Sequence, residues 1–98
     1  MAYGKEKTKR LTELLGEIEG RKEHEYAAAT YKDVPALKEI VRLVEEQLAG
    51  DSDESTYVDS IAVLGYVADR YDSLGRYAVS AKFYNQILSL ALRLKQQY

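Results

Sequence analysis

Residues 55–95 read STYVDSIAVLGYVADRYDSLGRYAVSAKFYNQILSLALRLK, and their spacing decides the fold. Tyr57, Val58, Ile61, Leu64, Ala68 and Tyr71 keep helical phase to about Ser73. Gly75 interrupts the pattern, and Tyr77, Ala81, Tyr84, Leu88 and Ala91 resume it on a last helix from about Arg76 to Gln96. Apolar residues recurring every three or four positions mark one face of an α-helix. With only Ser73-Leu74-Gly75 between them, the two helices, 54–73 and 76–96, must lie antiparallel and side by side. Tyr57, Tyr71, Tyr77 and Tyr84 fall at core-facing phase.

Upstream of this pair, Gly50-Asp51-Ser52-Asp53-Glu54-Ser55 reads as a loop. Asp51 with Glu54, and Ser52 with Ser55, have capping-box spacing. Before the loop, Leu37, Ile40, Val41, Val44 and Leu48 run down one face of a helix over 35–49, for which Gly50 is a candidate left-handed cap. Asp33 suits its N-cap, and Pro35 is tolerated in a first turn because its missing N–H needs no partner there. Pro35 also biases Val34 away from helical angles. Leu11, Leu14, Leu15 and Ile18 define a first helix beginning near Lys5. Gly16 and Gly20 share one side of it, where another helix can approach closely. Residues 21–32 are helix-prone and either continue this helix or form a separate one beyond Gly20; the favoured reading is one element over 5–32, kinked or frayed at Gly20. No segment alternates with period two. The expectation is one all-α domain over 1–98, an antiparallel bundle of four helices, or five if the first divides.

Composition narrows the function classes. The 98 residues carry a net charge of −2, with acids and bases interspersed, so no strong field draws in nucleic acid. Cysteine is absent, which excludes disulfides and thiolate metal sites. The polar N-terminal segment lacks the apolar core of a secretory signal, and no apolar run is long enough to cross a bilayer. A cytoplasmic protein without a membrane partner is expected. A basic cluster, Lys5, Lys7, Lys9 and Arg10, with Arg21 and Lys22, is the one feature that suits a weak nucleic-acid-binding accessory role.

The segment Leu64 to Leu90 resembles a single degenerate tetratricopeptide repeat, a helix-turn-helix unit with a loose pattern of small and large residues. Tyr71, Gly75, Tyr77 and Tyr84 sit where that pattern places an aromatic, the turn Gly and two further aromatics. Leu64 replaces the usual Trp, Ala68 a Gly, and Ser80 and Ile87 two Ala; no Pro closes the unit. One repeat length earlier, Leu37, Val41, Leu43, Glu46 and Gly50 do not match. The resemblance covers about a third of the chain. It implies a protein- or peptide-binding module with aromatics between its two helices and a concave face completed by stacked neighbours.

Catalytic and metal signals are weak. The only histidine, His24, would need a carboxylate one turn before it on a shared helical face, and that position is Arg21. Asp51, Asp53 and Glu54 lack the Gly and Glu of a calcium loop, since Thr56 and Ala62 occupy those positions. No nucleophile elbow or phosphate-cradling Gly loop is present. No catalytic, cofactor or metal residue is assigned, and no enzyme is expected.

Nine Tyr beside one Phe and no Trp favour half-buried, half-wet positions. Tyr66 falls off the core stripe and suits either an interface or the rim of the core. The last helix carries a second apolar stripe, Phe83, Ile87, Leu90 and Leu94, besides Tyr84, Leu88 and Ala91. One stripe packs on the preceding helix; the other is covered either by the N-terminal helices or by another chain. Tyr66, Phe83, Ile87, Leu90 and Leu94 are the candidate interaction surface. The leading expectation is a non-catalytic protein–protein interaction or scaffolding domain, self-associating through the last helix.

Overall fold

The computed structural model describes residues 3–50 and 53–98. They form four α-helices: α1 (Gly4–Gly20), α2 (Val34–Gly50), α3 (Glu54–Ser73) and α4 (Tyr77–Gln97), with a 3-10 turn at Tyr31–Asp33 before α2. No strand occurs among the described residues. The chain is an all-α bundle, as the hydrophobic spacing dictates.

Leu11, Leu14 and Ile18 of α1 meet Leu37, Ile40, Leu43 and Val44 of α2, and Tyr57, Leu64, Val67 and Tyr71 of α3, in one core. Each helix packs on the one that follows it, and the α3–α4 pairing is by far the most extensive. Polar clasps sit at the rim. Arg10 reaches Glu39 with two parallel bonds of 2.9 and 2.8 Å, joining α1 to α2. Buried Tyr3 shares a 2.5 Å hydrogen bond with Ser60, which ties the start of the chain to α3; burial raises the pKa of this phenol.

The favoured continuous element over 5–32 does not form. α1 stops at Gly20, and the N–H groups of Arg21 and Lys22 bond back to Ile18 and Glu19 in a tightened last turn. Residues 22–30 then run as an irregular strap. Helix propensity is a weak prior, and here side chains of α3 claim the strap's backbone. Arg70 donates to the Ala27 carbonyl at 3.1 Å, and the Ala29 N–H donates to Ser73 Oγ at 2.8 Å. Gly16 and Gly20 face open space, so no helix uses their small-residue side.

Local details around α2 also differ. Val34 adopts helical angles (φ −57°, ψ −45°) despite the following Pro. The Asp33 carboxylate turns back to the Thr30 N–H at 3.0 Å instead of capping α2 from outside. α2 ends on Gly50, which is not left-handed. The pairings of Asp51 with Glu54 and of Ser52 with Ser55 lie outside the described residues. Asp53 is the observed N-cap of α3, accepting from the Thr56 N–H at 2.8 Å.

The turn between α3 and α4 is built around Gly75, at φ +79°. The Arg76 N–H bonds to the Tyr71 carbonyl at 3.0 Å and the Gly75 N–H to that of Asp72 at 2.9 Å. These are the two bonds of a Schellman cap. A side chain at such a φ clashes with its own backbone, so Gly75→Ala is expected to cost about 1–2 kcal/mol, read as a lower urea midpoint with an unchanged slope.

Candidate functional site

α4 turns one apolar stripe inward and leaves another in water. Leu90 is buried in the core, and Phe83, Ile87 and Leu94 pack against it half-buried. Phe83 stacks on Tyr71 with ring centres 5.7 Å apart. The four α4 residues expected as a surface awaiting a partner are therefore covered by helices of the same chain. The stripe expected to pack on α3 is the exposed one: Tyr77 is 66% accessible, Tyr84 47% and Leu88 59%, with Leu92 next to it 51% accessible. Ala81 and Ala91, between them, are also exposed.

The choice of stripe has a physical reason. Burying Leu90 contributes roughly 1.5–3 kcal/mol, and the half-buried Phe83, Ile87 and Leu94 each contribute part of that. The other stripe offers two alanines with little area and two tyrosines whose hydroxyls need partners when buried. The helix rolls to bury the richer side. Of the tyrosines read as core-facing, Tyr57 and Tyr71 are buried, whereas Tyr77 and Tyr84 are not.

The exposed row lies on one particular flank of α4. On the opposite flank, Gln86, Ser89 and Arg93 border a cleft shared with Glu45 and Leu48 of α2. The row thus lies away from α2, beside the outer edge of α3. That edge carries Val58, 49% accessible, and Gly65, beside which there is open space. It also carries the exposed acids Glu54, Asp69 and Asp72. α4 itself holds Lys82, Arg93 and Lys95 and no acid.

Comparison with protein-family models, with curated proteins and with solved structures finds no match to this chain.

Tyr66 belongs elsewhere. It donates a 2.7 Å hydrogen bond to Glu19, at the end of a shallow groove lined by Leu15, Ala62 and Val63 between α1 and α3. Burial and the adjacent carboxylate raise the pKa of its phenol. The bond fixes α1 on α3, which is the rim alternative for this residue. His24 lies exposed on the strap between exposed Glu23 and Glu25. Among the described residues no three of His, Asp and Glu converge, and no helix is long and apolar enough to cross a membrane.

Four of the six residues of the basic cluster are engaged with the protein's own groups, while Lys5 and Lys9 are exposed. Arg10 pairs with Glu39 and Glu13, Arg21 with Asp33, and Lys22 with Glu19, while Lys7 donates to Gln47. The Asp33 carboxylate is the hub of a further network that sequence reasoning did not find. It holds Arg21 at 2.8 Å and the buried Arg70 at 3.6 Å, beside the Thr30 N–H. Burial alone would push its pKa up, but the Thr30 N–H and the two guanidiniums outweigh that and hold it below the ordinary value.

Proposed function

We propose that this protein is a non-catalytic protein–protein interaction domain that associates with itself through the outer face of α4. One observation carries the proposal: Tyr77, Tyr84, Leu88 and Leu92 stand in water along a helix whose other side is core. Monomeric soluble proteins rarely expose such contiguous apolar surface unless something docks on it. The two tyrosines fit this role, because Tyr gives large contact area while keeping a polar end for the rim. A cytoplasmic location and a repeat-like character for the α3–α4 hairpin are part of the same reading.

Analytical ultracentrifugation of the full chain tests it. The wild-type protein is expected to sediment as a dimer at tens of micromolar. Leu88→Glu is expected to shift it to monomer with unchanged helical circular dichroism and a melting temperature equal to that of the wild type diluted to its monomeric state, since Leu88 contributes little to the core and only the stabilisation by association is lost. A wild-type protein that stays monomeric at that concentration overturns the proposal.

A further inference from the structure

The geometry points to a separate site on the flank of α4 opposite the exposed row: the cleft between α2 and α4 takes a small zwitterion with an apolar body, of the class of an apolar amino acid or dipeptide. The cleft has a volume of about 510 Å³, inside the range of roughly 300–1,000 Å³ typical of small-molecule sites. Its floor is apolar. Leu90 is buried in the core and Leu48 packs half-buried against it, while Tyr57 of α3 closes one side. Charge comes only from the two walls. Glu45 stands on α2 and Arg93 on α4, and no other charged residue lines the cleft.

Two observations call for a ligand that carries both charges. Glu45 and Arg93 border the same cleft, yet the side chain of neither joins an ion pair or hydrogen bond among the described residues, whereas Glu39 and Glu46 of α2 are both held by arginines. The Arg93 guanidinium suits a carboxylate, which it can hold with two parallel bonds, and Glu45 can accept from an ammonium. Tyr57 is only 4% accessible, and its hydroxyl has no hydrogen-bond partner among the described residues. A buried phenol normally finds one, and an acceptor held in the cleft that this residue lines supplies it. Gln86 and Ser89, on the same flank of α4 as Arg93, add an amide and a hydroxyl. A purely apolar ligand leaves these groups unmet, and a lone anion meets Glu45 at like sign. A zwitterion answers both walls and lays its side chain on Leu48 and Leu90. Because the cleft and the exposed row lie on opposite flanks of α4, this site does not depend on self-association.

Titration of the isotope-labelled full chain with L-leucine and with leucyl-leucine, followed by amide chemical shifts, tests the assignment. Saturable shifts centred on the cleft residues of α2, α3 and α4 are expected below about 10 mM, the weak affinity of a small ligand in an open cleft. The tighter of the two probes tells amino acid from dipeptide. Leucinamide, which lacks the carboxylate, and N-acetylleucine, which lacks the ammonium, are each expected to bind about tenfold more weakly than leucine, through loss of one charge-assisted bond. Arg93→Gln should abolish the preference for leucine over leucinamide, and Glu45→Gln the preference over N-acetylleucine. Both side chains are exposed, so these variants keep the fold. Tyr57→Phe retains the ring and is expected to weaken leucine several-fold. Absence of saturable shifts with both probes overturns the site. Equal binding of leucine, leucinamide and N-acetylleucine overturns recognition of the zwitterion. Preferences that survive both Arg93→Gln and Glu45→Gln overturn the roles given to these two residues.

Discussion

Asp33→Ala is expected to lower the unfolding free energy by about 3–5 kcal/mol, the range seen when one partner of a buried ion pair is removed. The side chains of Asp33 and Arg70 are 3% and 7% accessible, so neither can turn to water without opening the strap. Arg70 has little slack, because its Nε already has no hydrogen-bond partner among the described residues. Removing the carboxylate strands that guanidinium and also releases Arg21 and the Thr30 N–H. For a chain of this length, 1 kcal/mol corresponds to roughly 4–8 °C, so the melting temperature should fall by more than 10 °C. The double variant Asp33→Ala/Arg70→Met is expected to lose less than Asp33→Ala alone, because no charge is then left buried; an equal or greater loss counts against the pair as the cause.

The same group sets a pH dependence. Its native pKa is held below the unfolded value near 3.9, so the folded state binds this proton more weakly than the unfolded one. Its contribution is fully present above the unfolded value and is lost as pH falls toward the native one. The wild-type protein should therefore lose stability more steeply below about pH 4 than Asp33→Asn does. Glu19, Glu39 and Asp53 are also depressed, by the Lys22, Arg10 and Thr56 hydrogen bonds respectively. The difference between wild type and variant, not the slope of either, isolates Asp33.

Leu90→Glu is expected to cost more than about 4 kcal/mol. The loss of a buried Leu accounts for roughly 1.5–3 kcal/mol, and placing a carboxylate where 4% of the residue is accessible adds a desolvation penalty of several more. In a domain whose total stability is about 5–15 kcal/mol, α4 should separate from α3 or the chain should unfold. Amide hydrogen exchange distinguishes these outcomes, since separation exposes 77–97 alone. The contrast with Leu88→Glu is the decisive measurement. Two residues apart on one helix, the first change should remove the fold and the second only the association.

Much of the fold is legible in the chain because it is written in local spacing. Leu64 to Tyr71, the Gly75 turn and the double stripe of α4 announce an antiparallel pair, and the Leu11–Ile18 and Leu37–Val44 faces announce the helices packed on it. Spacing does not say which of two stripes a helix buries. That depends on the relative burial gain of Phe83, Ile87, Leu90 and Leu94 against Tyr77, Ala81, Tyr84 and Leu88, and on the helices available to receive them. The strap was invisible for a different reason. Residues 21–30 have the composition of a helix, and it is side chains farther along the chain, Arg70 for the Ala27 carbonyl, Ser73 for the Ala29 N–H and Asp33 for the Thr30 N–H, that draw the backbone away from it. Arg70, at core-facing phase between Val67 and Tyr71, was the available signal: a cation at the edge of a core face needs an anion, and Asp33 is placed at the mouth of α2 to supply it.

The Gly75 turn has a consequence for the route by which the chain folds. The largest interface in the molecule, between α3 and α4, is closed by a connection of only three residues, 74–76, so the entropy lost in bringing those two helices together is small. Asp33 and Arg70 must close a far longer loop before they meet. Contacts local in sequence form fast. The hairpin is therefore expected to form before the strap is fastened across α3.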